Sequence, residues 1–310
     1  MTVPVVLDCD PGHDDAVAIA VAAHRAQLVG ITTVAGNVGL GYTTHNALAL
    51  VQLLDLDVPV HAGAAAPLAA VGPAPRHAEH VHGETGLAGA VLPDVTRTVD
   101  SDDAVGYLVE VSKSVPGVWI VATGPLTNVA LALERDPGLA QRIAGISIMG
   151  GGTFGNVTAA AEFNINFDPE AADVVLRCGS QRILMCGLDL THQFNVDDAL
   201  VTALRNLGNG FGPFCAGFLA AYLENVRALT KRRDVAALHD PCAVLAVTDP
   251  ELFAGTRVPV AIETKGEHTR GMTLVDRRSW ARGHGNVEWA EHIDAAPAFE
   301  VVTAAIAAAP

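Results

Sequence analysis

The feature that most restricts how this chain can fold is the stretch VVLDCDPGHDDAVAIA at residues 5–20. An apolar run, Val5-Val6-Leu7, ends in four aspartates within eight positions: Asp8, Asp10, Asp14 and Asp15. Carboxylates this close repel one another. Either they face water, or something offsets the repulsion. Asp14 and Asp15 open an apolar periodic stretch, so a helix start accounts for them through the helix dipole. That leaves Asp10 unexplained. A hard divalent cation gathers several carboxylates and carbonyls at once. The spacing is not that of an EF-hand loop, and no local His/Cys pair has zinc spacing.

The rest of the chain alternates short apolar runs with helical patterns. Strands are expected at Val3–Leu7, Val29–Val34, Val118–Ala122, Ala144–Met149 and Arg182–Cys186. Helices are expected at Asp14–Arg25, Thr43–Leu54, Asp102–Ser114, Leu126–Leu133 and Pro169–Cys178. Near-continuous apolar strands are those of a parallel sheet covered on both faces. The alternation predicts an α/β fold: an open, doubly wound, mostly parallel sheet flanked by helices. Residues 196–250 read as helical with breaks at Gly208, Gly210 and Gly212. Residues 257–293 read as strands Arg257–Thr264, Met272–Asp276 and Asn286–Ile293, and Ala295–Ala309 as a closing helix. Without internal repeat or linker, residues 1–310 are expected to form a single large domain. The Gly63–Gly89 loop, rich in Gly, Pro and His, has the length of functional loops.

Composition excludes some function classes. Half of the residues are hydrophobic and only 17% are charged, enough apolar material for a sizeable core. The formal net charge of −15 repels phosphate backbones, which argues against nucleic acid and leaves a neutral small molecule open. MTVPVVLDCD has no basic region or long apolar run, so no signal peptide is expected. Stretches such as Val118–Ala122 are too short to cross a membrane. Five scattered cysteines without C-x-x-C suit a reduced, cytoplasmic protein.

In open α/β sheets ligands bind beyond the carboxyl ends of the strands. Four expected strand ends carry polar or glycine turns there: Asp8-Cys9-Asp10-Pro11-Gly12, Ala35-Gly36-Asn37, Thr123-Gly124-Pro125 and Met149-Gly150-Gly151-Gly152. Each alone suits an ordinary turn or cap; four together indicate a site. In Leu238-His239-Asp240-Pro241-Cys242, Asp240 suits an N-cap with Pro241 at the first helical position. His239 beside it can exchange protons near neutral pH. Glu162, Asn164 and Asn166 alternate with apolar residues, as in an extended segment with one polar face suited to sugar hydroxyls. Asp168-Pro169 reads as the cap of the next helix. His77, His80 and His82 share one loop, where His77 and His80 are expected to be solvated; His24, His45, His268 and His292 are expected at the surface or in structural roles. Gly150–Gly155 matches G-x-G-x-x-G, but no helix opens at once, so a dinucleotide site is not indicated.

Taken together, DCDPGHDDAVAIA, TTVAGN, HGETGLAG, TGPLTNVALAL, IMGGG, GNVTAAAEFNINFDPEAA, MCGLDLTHQ and LHDPCAV occur in this order. The set resembles the nucleoside hydrolases, the inosine-uridine-preferring nucleoside N-ribohydrolase family, from about Val5 to about Asp276. The resemblance implies an enzyme that splits ribonucleosides, purine or pyrimidine, into ribose and free base with Ca²⁺, as a homodimer or homotetramer. By similarity, Asp10, Asp15, Asp240 and the Thr123 carbonyl would ligate Ca²⁺, with Asp10 also the general base toward its water. Asp14, Asn37 and Asn164 would bind the 2′-hydroxyl, and Asn156 and Glu162 the 5′-hydroxyl. Met149 would lie against the ribose, with Phe163 also in the substrate set, and Asp8 would stand behind the metal. His239, as leaving-group acid, and His82 match the subgroup that handles pyrimidine nucleosides or both base types.

His13 stands where the family pattern usually has an apolar residue, and could perturb or shield the metal site. Near the leaving base, Tyr222 is kept while Arg227, Lys231, Arg232 and Arg233 dominate the helix around it. Two rival readings remain at this point. Asp8-Cys9-Asp10 also resembles the nucleophile motif of haloacid-dehalogenase-type phosphatases, although none of the three lysines, Lys113, Lys231 and Lys265, sits in a convincing motif. The other rival is a Ca²⁺-dependent nucleoside- or sugar-binding protein on the same fold.

Overall fold

Along the first strand, Val5, Leu7 and Cys9 enter one apolar cluster while Val6 enters another. This period of two buries both faces of the strand, as the near-continuous apolar sequence requires. The computed structural model describes residues 2–69, 75–230 and 235–310. Its strands are β1 (Pro4–Cys9), β2 (Gln27–Thr33), β3 (Val60–Ala62), β4 (Trp119–Ala122), β5 (Gly145–Met149) and β6 (Ile183–Cys186). They continue as β7 (Asn195–Val196), β8 (Ala236–Ala237), β9 (Phe253–Val258), β10 (Val260–Ile262), β11 (Thr273–Val275) and β12 (Val287–Ile293).

Eight of them form the central sheet, in the order β3-β2-β1-β4-β5-β6-β12-β9. The pairings from β3 to β12 are parallel, and only the β12–β9 pair at the edge is antiparallel. The order reverses between β1 and β4. At such a point neighbouring connections run to opposite sides and leave a crevice beyond the carboxyl ends. Asp8 lies near the end of β1, and Thr123 follows β4 directly.

Helices cover both faces. Helix His13–Arg25 is buried from His13 through Ala22, and packs against Ala295–Ala308 and Pro241–Thr248. Its alanines let the backbones approach closely. Among the described residues, no helix is long and apolar enough to cross a membrane. All five cysteines are free.

Three expectations need correction. Glu162–Asn166 is not extended: Phe163–Phe167 is a short helix with Glu162 as its N-cap. The Glu162 carboxylate accepts the N–H groups of Asn164 and Ile165 at 2.9 and 3.0 Å, so local capping prevails over the alternating pattern. Gly212 does not break the helical region; it lies in the first turn of Phe211–Thr230, where its N–H donates to Asn209 Oδ1. Arg257–Thr264 is divided at Pro259, which has no N–H for the ladder, into β9 and β10. The reading of Gly63–Gly89 falls partly on residues 70–74, and that of Lys231, Arg232 and Arg233 wholly, outside the described residues.

Asn128 joins three strand ends. Its Nδ2 donates to Asp8 Oδ1 (2.8 Å) and Thr33 O (3.0 Å), and its Oδ1 accepts from Ala64 N (2.8 Å). Leaving these buried groups unpaired costs about 1–3 kcal/mol each, less what relaxation recovers. Asn128→Ala should therefore lower stability by about 2–4 kcal/mol, read from the urea midpoint. An unchanged midpoint would show that the three strand ends do not depend on this side chain.

Candidate active site

The loops after β1, β2, β4 and β5 converge on a cavity of about 770 Å³. Asp14, Asn37, Thr123, Met149, Asn156, Glu162, Phe163, Asn164, His82, His239 and Asp240 all line it. The structure thus brings together the expected site residues from segments far apart in sequence. Asp10 and Asp15 lie behind this lining, 1% and 0% exposed.

The carboxylates are packed by specific donors. Asp10 Oδ2 accepts the Asn37 backbone N–H at 2.6 Å, and Asn37 Nδ2 returns to the Asp10 carbonyl at 3.1 Å. A Cβ at Gly36 or Gly124 would lie 2.1 or 2.6 Å from the Asp10 carboxylate. Only glycine at those strand ends leaves room for it. Asp15 accepts from Gly12 N (2.9 Å) and Thr123 Oγ1 (2.8 Å). Asn164 Nδ2 donates to the Thr123 and Met149 carbonyls at 2.7 and 3.1 Å. Glu162 also accepts Gly151 N–H at 2.9 Å, which ties the β5 loop to the short helix.

Carboxylate oxygens of Asp14, Asp15 and Asp240 all come within 4.8 Å of one another. Asp240 occupies the N-cap position of Pro241–Thr248 but makes no side-chain cap hydrogen bond. Its carboxylate joins the cluster instead of serving the helix. Burial, followed by repulsion from neighbouring aspartates, holds Asp10 and Asp240 well above the ordinary carboxylate range. The same two causes push Asp14 up to about 7, and burial raises Asp15. No Lys or Arg is among the described residues lining the cavity.

This environment tests whether a cation suits the site. Donors are oxygens only, the charge is uncompensated, and the acids are forced toward protonation. A hard divalent ion answers all three conditions, whereas zinc would favour nitrogen or sulfur donors. Asp8, near the end of β1, is fully buried. Thr32 Oγ1 and Asn128 Nδ2 donate to its Oδ1, Oδ2 has no hydrogen-bond partner among the described residues, and burial pushes it up to about 6.

Histidines add to the polar lining. His239 Nδ1 lies 2.8 Å from Thr191 Oγ1, and its ring is tilted against His192 at 5.9 Å. Burial, with His192 adding, lowers His239 to about 3. His82 is lowered well below its usual value by burial and by His13. Both rings are therefore neutral at neutral pH. His13 does not face the carboxylates; it stacks on His82 with centroids 5.1 Å apart. Tyr222 lines the cavity and donates its hydroxyl to Ala237 O, while Arg227 pairs with exposed Asp198. His24, His45, His268 and His292 are exposed, whereas His77 contacts the Gly36 carbonyl.

Sequence reasoning did not single out Asn128, Thr191 or His192. Thr191 and His192 follow β6, so the strand-end rule that found the other loops would have reached them. Asn128 sits inside a helical pattern, where nothing marks its side chain as a tether.

The profile of the Inosine-uridine preferring nucleoside hydrolase family matches residues 5–300. A Pyrimidine-specific ribonucleoside hydrolase RihA from Shewanella woodyi is 43% identical over 304 residues, covering 96% of this chain and 95% of that one. A RihA from Enterobacter is 42% identical, covering 95% and 94%. Among solved structures, a Purine-Preferring Ribonucleoside Hydrolase from Gardnerella vaginalis superposes with a TM-score of 0.91 at 30% identity, covering 98% of both chains. A plant nucleoside hydrolase, PpNRh1, gives 0.88 at 33% identity, covering 99% and 100%. The phosphatase and binding-protein readings both give way: this chain belongs to the inosine-uridine preferring nucleoside hydrolase family and is a ribonucleoside N-glycosidase.

Proposed function

We propose that the enzyme hydrolyses pyrimidine ribonucleosides, uridine and cytidine, in preference to purine ones. The observation that carries this reading is a pair of histidines, buried His82 and half-buried His239, lining one cavity with the carboxylates and both lowered below the usual imidazole range by desolvation. The RihA relatives at 41–43% identity agree with it.

Asp10, Asp15, Asp240 and the Thr123 carbonyl would hold Ca²⁺, which neutralises the cluster and makes water more acidic. Asp10 takes the proton of the attacking water. Asp14, Asn37 and Asn164 hold the 2′-hydroxyl; Asn156 and Glu162 hold the 5′-hydroxyl; Met149 and Phe163 pack against the sugar. The transition state gains oxocarbenium character, and the buried negative charge around it stabilises the developing positive charge. A neutral imidazole makes a poor proton donor but a good hydrogen-bond donor. His239, with Nδ1 engaged by Thr191, directs Nε2–H to the departing base, which leaves as a delocalised pyrimidine anion. Five free cysteines suit a reducing cytoplasm, and exposed Leu274 and Trp280 offer apolar surface for a homodimer or homotetramer.

Ribose release should rank uridine and cytidine at least about tenfold above inosine and adenosine in kcat/KM, a difference of about 1.4 kcal/mol. The reverse order would remove the pyrimidine assignment. Asp10→Ala should lower turnover by about 10³-fold or more, as expected for loss of a base and a metal ligand together. Loss of less than about tenfold would exclude Asp10 as the base. His239→Ala should slow uridine hydrolysis by about 10²-fold while changing hydrolysis of p-nitrophenyl riboside less than about fivefold. Equal losses on both substrates would rule out a role at the leaving base.

A further inference from the structure

His82 belongs to a helix of only four residues, Glu79–His82, within a long irregular loop. Such a short element cannot by itself fix a side chain to the accuracy that chemistry at a leaving group demands. The ring is nevertheless 7% exposed and held from several sides. The nearest holder is His13, the first residue of helix His13–Arg25.

Two atoms of His13 meet one atom of His82. The His13 backbone N–H lies 3.3 Å from His82 Nδ1, and His13 Nδ1 lies 3.1 Å from it. The rings stack with an interplanar angle of 23°. His13 Nε2 lies 2.9 Å from the Ala88 carbonyl, which can only accept, so Nε2 carries the hydrogen and the bare His13 Nδ1 accepts from His82 Nδ1–H; the backbone N–H at 3.3 Å is then a contact only, and His82 Nε2 is left as an acceptor. Ala88 N–H in turn donates to the His82 carbonyl at 2.9 Å. His13 therefore grips both the ring and the backbone of the loop. Phe218 stacks on His13, and Tyr222 stacks on His82 and lies tilted against His13. A Cβ at Gly12 would lie 2.7 Å from His82 Nδ1, so the turn before the helix is shaped to the same ring.

We infer that His13 is a positioning residue for His82: it pins Nδ1 and so presents Nε2 to the cavity at a fixed distance from the aspartates. The physical logic is one of shared reference. Asp14 and Asp15 follow His13 on the same rigid helix, so one element sets both the sugar-side carboxylates and the base-side imidazole. A loop free to shift would decouple the two ends of a nucleoside. This inference rests on the reading of His82 as a contact to the departing base.

The test is a double-mutant cycle read on two substrates. His13→Phe keeps an aromatic stack and removes both ring nitrogens. It should lower kcat/KM for uridine by about 10–100-fold, mainly in kcat, and change p-nitrophenyl riboside hydrolysis by less than about threefold. In a His82→Ala background the same substitution should cost less than about twofold, because the residue through which it acts is gone. His13→Leu serves as a second variant if Phe overpacks the site, with the same expected pattern. Equal losses on both substrates, or an undiminished loss in the His82→Ala background, would overturn the inference and assign His13 to the helix start. If His82→Ala impairs uridine hydrolysis but His13→Phe does not, the inference fails alone. If His82→Ala itself is neutral, the reading of His82 falls and this inference with it.

Discussion

The structure depends on one electrostatic problem: four carboxylates, Asp10, Asp14, Asp15 and Asp240, buried beside one another at the point where the strand order reverses. Burial raises each of them, and mutual repulsion adds to Asp10, Asp14 and Asp240. Hydrogen bonds from Gly12, Asn37 and Thr123 offset part of the cost. A divalent cation would offset the rest. Glycines at positions 36 and 124 are the steric counterpart of the same requirement, since any side chain there would displace Asp10. The sheet supplies the crevice, and the carboxylates determine what can fill it.

That arrangement explains why the candidate site and the stability of the fold are interleaved. Asn128 and Thr32 support Asp8, and Asp8 in turn accepts Thr123 N–H through its backbone carbonyl at 2.8 Å. Asn164 braces the Thr123 carbonyl from the other side. Buried networks of this kind gain when complete and lose heavily when one member is missing. On the proposed reading the base end follows a different logic: there, desolvated rings would offer hydrogen bonds without bringing another charge into a crowded site.

The sheet was legible in the sequence because its strands are apolar on both faces and end in recognisable turns. Asp8 through Asp15, Asn37, Thr123 and Met149 all follow that pattern. The short helix Phe163–Phe167 was not legible: Glu162, Asn164 and Asn166 alternate as in a strand, and the cap shows only in the two N–H groups, of Asn164 and Ile165, that reach the Glu162 carboxylate. Nor could sequence separation predict that His13 and His82, 69 residues apart, share a contact. Local periodicity carries no information about which loop folds back over which helix start. The Asp240 cap position was legible, with Pro241 after it, but not that its carboxylate turns to aspartates from the far end of the chain instead of to the helix.

The most direct test is calorimetric titration of Ca²⁺ into chelator-stripped protein near pH 7, repeated in buffers of different ionisation enthalpy. Carboxylates raised by burial and crowding hold protons that a bound cation must displace. The account predicts one Ca²⁺ per chain, with proton release on binding, and loss of the site in Asp15→Asn. Absence of binding, or binding that Asp15→Asn leaves intact, would contradict it.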